Sequence, residues 1–154
     1  FDKFRRNEVG GILSQQEQAG YTLFNQKCAS CHATDLFTDN SFRNNGLQVN
    51  PAINDIGRYR VTELDQDVYK FKVPSLRNIE KTAPYMHDGR LFTLEAVMEH
   101  YNSGVVNSNT LDPLLKTNGK LGIPTTEVEK TQIIAFLKTL TDTQYLTDKR
   151  FSEY

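Results

Sequence analysis

Residues 28–32 read Cys28-Ala29-Ser30-Cys31-His32, and both cysteines of the 154-residue chain lie in this one stretch. Two thiols three positions apart can add to the two vinyl groups of a single porphyrin, and the next residue, His32, then presents its imidazole to the iron. Three other uses of such a pair compete: a thioredoxin-like redox couple, a structural disulfide and half of a zinc site. A redox couple normally follows a strand in a βαβ pattern, and a zinc site needs a second cysteine or histidine pair at ligand spacing. Neither context is present. The adjacent histidine favours covalent attachment of one haem c, with Cys28 and Cys31 as thioether donors and His32 as the proximal iron ligand.

Just upstream, Ser14-Gln15-Gln16-Glu17 has the form of a capping box, which predicts a helix over 15–27 whose far end delivers the motif. Gly20, Leu23, Phe24 and Lys27 share one face of it, with Gly20 small enough to admit a second helix. Residues 1–13 mix charge with the Gly10-Gly11 pair without a clear period and read as a linker from another domain, leaving 14–154 as the haem domain. Downstream, residues 33–71 are rich in Asn, Asp, Gly and Thr, with turn signals at Asn45-Gly46 and Ile56-Gly57. This is expected to be a long loop over the haem, with Phe37, Phe42, Leu47, Tyr59, Tyr69 and Phe71 available to cover it.

A second centre follows in residues 71–79 and 82–90. Pro74 and Pro84 fix the backbone, and Asp88-Gly89 makes a turn just beyond Met86, a potential thioether ligand, and His87, a potential imidazole ligand. Arg77 carries a planar guanidinium suited to a haem propionate. Thr93 should cap a helix over 94–103, on which Leu94, Val97, Met98 and Tyr101 fall at helical spacing, so that Tyr101 points with the buried stripe. A phenol there needs a partner. His87 and His100 read as structural histidines rather than ligands. Thr126 and Glu129 form another capping box, and Ile133, Phe136, Leu137 and Leu140 give the core face of a closing helix expected to cross the first near Gly20. The predicted fold is all-α, a cytochrome c-like domain around one haem with long irregular loops.

Composition agrees. Hydrophobic residues make up 38% of the chain and mean hydropathy is −0.55. No apolar run approaches the ~20 residues that span a bilayer. A net charge of −1 with interspersed signs leaves no basic stripe for nucleic acid. Attachment of haem c in bacteria takes place outside the cytoplasmic membrane, so the chain is expected to be periplasmic or otherwise extracytoplasmic.

The stretches quoted above resemble the bacterial dihaem cytochrome c peroxidases: the 28–32 motif, Phe37-Thr38-Asp39, the run from Phe71 to Asn78, Pro84-Tyr85-Met86-His87-Asp88-Gly89 and Thr93-Leu94-Glu95. The match is similar to their C-terminal haem domain, which takes electrons from a small cytochrome or cupredoxin and passes them to a peroxide-reducing haem in an N-terminal domain missing here. In those peroxidases a methionine after the His-Asp-Gly turn is the distal ligand. The matching position is Tyr101, as in the related dihaem enzymes that mature tryptophylquinone cofactors, where a tyrosine ligates iron. The resemblance therefore implies Tyr101 as distal ligand, with Met86 as the rival. It also implies calcium bound by the main-chain oxygens of Thr82 and Pro84. A stand-alone monohaem electron carrier without catalysis is the alternative function.

Overall fold

The computed structural model describes residues 1–117 and 119–151. Two helices make the frame. Helix α1 (Asp2–Arg5) is a single turn, and α2 (Gln15–Lys27) is the helix that ends at the cysteine motif. Its start is the expected capping box: Glu17 N–H donates to Ser14 Oγ at 3.3 Å and Ser14 N–H donates back to the Glu17 carboxylate at 2.7 Å. Beyond it, β1 (Phe42–Arg43), α3 (Tyr59–Thr62) and β2 (Phe71–Lys72) punctuate the long loop, with β1 and β2 antiparallel and Phe42 opposite Lys72. Then come α4 (Leu94–Glu99), the ribbon of β3 (Lys116–Thr117) and β4 (Lys120–Leu121), the long α5 (Glu127–Lys138) and the short α6 (Thr143–Leu146). Helices account for 40% of the structure and strands for 8%, so the two ribbons qualify the all-α expectation without displacing helices as the frame.

Helices α2 and α5 cross where the sequence places them. Gly20 is buried against α5, and a Cβ there would overlap the Gln132 carbonyl oxygen and lie 2.9 Å from Phe136 Cβ. This contact lets Phe24 and Phe136, 2% and 0% exposed, pack ring to ring at 5.1 Å. Ile133, Ile134, Leu137 and Leu140 fill the rest of the seam, with Leu94 and Met98 of α4 on its flank.

Two expectations change. The segment read as a linker is in part integral: the Phe1 ring packs 5.4 Å from Phe136 and 5.5 Å from Phe37, and its ammonium donates to the Thr139 carbonyl at 3.0 Å. Val9 and Ile12 stay exposed. The helix expected over 94–103 stops being α-helical after Glu99 and widens into a π-helical turn over His100–Gly104. An added residue in the turn breaks the 3.6-residue register. Tyr101 therefore leaves the Leu94–Met98 stripe and packs against a second cluster of Val105, Leu111 and Leu115.

Candidate haem site

The C-terminus of α2 winds directly into the cysteine motif. Cys28 N–H still donates to the Phe24 carbonyl at 2.8 Å, His32 N–H donates to the Cys28 carbonyl at 3.0 Å, and Asp39 N–H to the Cys31 carbonyl at 3.0 Å. One tight turn thus holds both thiols and the imidazole. The cysteines are not joined to each other. Burial pushes the Cys28 thiol up to about 12 and raises Cys31 as well. Redox couples depend on a depressed thiol pKa, so this environment disfavours that use.

His32 Nδ1 lies 3.1 Å from the Phe37 carbonyl oxygen. A carbonyl only accepts, so Nδ1 carries the proton and Nε2 keeps its lone pair, the tautomer a metal-ligating histidine needs. Burial lowers the His32 pKa, against an opposing pull from the Phe37 and Pro74 carbonyls, and so favours the neutral ring.

Tyr101, packed on the second cluster, lies within electrostatic reach of this motif. Burial pushes its phenol up to about 12. The Asn45 side chain works in the other direction, and both cysteine thiols lie near enough to act on it. The phenol thus lies near both thiols, and together with the adjacent His32 imidazole this donor set fits a covalently attached haem. The Tyr101 carbonyl accepts from Ile123 N–H at 2.6 Å, which fastens the π-helical turn from behind.

Met86 has a left-handed φ of 72° in a turn closed by the Tyr85–Leu91 bridge. Its sulfur accepts from Asn45 Nδ2 at 3.3 Å. The two histidines are otherwise engaged: His87 stacks on Phe71 at 3.8 Å, and buried His100 donates from Nε2 to the Asn45 carbonyl at 3.1 Å.

Other expected contacts are not brought to this place. The Arg77 guanidinium expected at a propionate forks instead onto Asp2, at 2.7 and 2.9 Å, while Nε donates to the Asp35 carbonyl at 2.9 Å. Thr82 and Pro84 lie on an exposed turn. No group of three or more His, Cys, Asp or Glu able to hold a metal occurs among the described residues, so calcium there would rest on main-chain oxygens. Of the expected cover, Phe37 is buried in the α2–α5 core, Phe42 lies under Arg58 at 4.1 Å and Phe71 is taken by His87. Sequence reading missed Asn45, which it saw only as a turn former beside Gly46. The one available signal was a polar side chain placed before a glycine in a loop otherwise assigned to covering apolar surface.

A CxxCH turn at a helix terminus with a ligand-ready imidazole fits a c-type haem domain. No family model matches the chain. It is 38% identical over 144 residues to the methylamine utilization protein MauG of Methylorubrum extorquens, covering 91% of this chain and 38% of that protein. To the cytochrome-c peroxidase IdrP2 of Denitromonas iodatirespirans it is 32% identical, covering 90% of this chain and 43% of the relative. The crystal structure of a MauG-like protein associated with microbial copper homeostasis superposes with a TM-score of 0.78 at 33% identity, over 94% of this chain and 52% of that one. The chain belongs to the bacterial dihaem cytochrome c peroxidase family that includes MauG. It spans about two fifths of the length of these curated relatives.

Proposed function

We propose that the chain is the electron-input haem domain of a peroxidase-like oxidoreductase and carries one haem c. Cys28 and Cys31 would hold it covalently, His32 would be the proximal ligand and Tyr101 the distal one. The haem would supply one-electron chemistry; the polypeptide orients the imidazole through Phe37, fastens the phenol through Ile123 and keeps water from both. The observation that carries the reading is a ligand-ready His32 Nε2 directly after two unpaired thiols, with the Tyr101 phenol near both thiols. Family membership and the span of the chain support a partner domain, corresponding to an N-terminal haem domain, that holds the peroxide-reducing haem. The donor would be a small cytochrome or cupredoxin and the location extracytoplasmic. Calcium at the Thr82 and Pro84 carbonyls is part of the same proposal, and the anionic donor that Tyr101 would supply distinguishes the domain from an ordinary His/Met carrier.

Two measurements test it. Acid–acetone extraction followed by intact mass should leave one haem on the polypeptide, and loss of that mass would remove the premise. Tyr101→Phe should alter the ferric spectrum and raise the reduction potential, because a hard anionic donor that favours ferric iron is gone. A silent Tyr101→Phe, with Met86→Leu abolishing a sulfur-to-iron band, would mean His/Met ligation instead.

A further inference from the structure

Asn45 stands between the two side chains that compete for the distal position. Its Nδ2 donates to Met86 Sδ at 3.3 Å, and the same side chain lies near enough to the Tyr101 phenol to oppose the rise in its pKa. Its Oδ1 accepts from Leu47 N–H at 3.2 Å, so the amide cannot turn over without losing that bond. With the oxygen committed to the backbone, the NH2 group keeps a second hydrogen beyond the one given to Met86. The Asn45 carbonyl accepts from His100 Nε2 at 3.1 Å, and His100 opens the π-helical turn that carries Tyr101.

The loop bearing Asn45 is built to stay in place. Asn44 Nδ2 donates to Ser108 Oγ at 3.1 Å and Thr110 Oγ1 at 2.9 Å, while its Oδ1 accepts from Gly46 N–H at 2.8 Å. Val106 N–H donates to the Gly46 carbonyl at 2.8 Å. Gly46 itself has φ +70°, and a Cβ there would lie 2.6 Å from Val105 Cγ1. The amide is thus anchored from both sides, against the segment that follows Tyr101 and against the turn that precedes it.

We propose that Asn45 is the positioning residue that selects Tyr101 over Met86 as the distal ligand, holding the Met86 sulfur on its amide while donating to the Tyr101 oxygen. An N–H on a thioether occupies a lone pair that iron would otherwise take. An N–H on a phenolate oxygen orients it and disperses its charge, as partners outside the coordination sphere do for other metal ligands. This selection rests on the haem reading above.

The experiment uses the haem-loaded chain and reads the ferric absorption and electron paramagnetic resonance spectra together with the reduction potential. Asn45→Asp keeps the oxygen that serves Leu47 and replaces both donors by acceptors. It should lose the phenolate signature, gain a sulfur-to-iron band and raise the potential. Adding Met86→Leu to it should abolish the new band, whereas Met86→Leu alone should leave the Tyr101 signature intact. Should Asn45→Asp fail to take up haem, Asn45→Ser retains an oxygen for Leu47, lacks the second donor, and should shift the spectrum the same way. An unchanged spectrum and potential in the loaded Asn45 variant, beside an altered Tyr101→Phe, overturns the selection and leaves the haem reading standing. A silent Tyr101→Phe overturns both.

Discussion

His32 illustrates how one hydrogen bond prepares a side chain for a metal. The Phe37 carbonyl fixes the tautomer before any iron is present, and that carbonyl is positioned because Phe37 itself is locked in the core at 4% exposure. Arg77 and Asp2 show a different use of charge, tying the N-terminal turn to the segment that follows Val73. With Asp2 and Arg77 side chains 41% and 27% exposed, the pair is solvent-screened. Asp2→Asn should cost about 0.5–1 kcal/mol in a denaturant titration at neutral pH. The hydrogen bond from Arg77 holds the Asp2 carboxyl below its usual value, so this contribution is complete above the ordinary carboxylate range and fades as pH falls through the lowered one. The gap in stability between the wild type and Asp2→Asn should therefore close on acidification from about pH 4 downward. A gap that stayed constant with pH would mean that the variant acts through packing of Phe1 and not through charge.

Among the secondary-structure elements, the α2–α5 crossing governs stability and the π-helical turn governs the site. Gly20→Ala would drive a methyl into the Gln132 carbonyl, which is helix backbone and cannot swing aside. The loss should be about 1–3 kcal/mol by thermal or chemical unfolding. Removing either capping box, by Ser14→Ala or Thr126→Ala, should cost about 1 kcal/mol, because only one orphan N–H is exposed and water can reach it. The ordering, with the glycine change above the two cap changes, is the check: equal losses would mean that the crossing can relax. The turn over His100–Gly104 has the opposite character, trading regular helix for a direction that carries the phenol to the second cluster.

The molecule as a whole has two apolar clusters. The larger holds Phe24, Phe136 and the thiol end of α2, including Cys28 and Ala29, and the smaller holds Val105, Leu111 and Leu115 with Tyr101 against it. A haem joined at Cys28 and Cys31 and ligated by Tyr101 would bridge the two. In a Cys28→Ala/Cys31→Ala variant, amide hydrogen exchange should accelerate most over residues 101–115 and least in α2 and α5, whose seam is self-sufficient. Uniform acceleration would indicate that haem supports the whole core evenly. A haem with both axial positions filled offers peroxide no open site, so steady-state turnover of peroxide by this chain alone should be minimal. Rapid turnover would refute the electron-input role.

By itself the sequence determined the CxxCH turn at the end of α2, the two capped helices, their crossing at Gly20 and the core face of α5. Each of these depends on local spacing or on neighbours within a few residues, so the chain order carries the information directly. The family resemblance read from the same residues is upheld by MauG and the cytochrome c peroxidases. Only the tertiary structure decided that Phe1 packs against the core, that Arg77 serves Asp2, and that Asn45 holds the Met86 sulfur. It alone showed that the helix bearing Tyr101 widens after Glu99. Those contacts join residues 41 to 138 positions apart, or depend on a break in helical register, and neither is encoded in the period of hydrophobic residues.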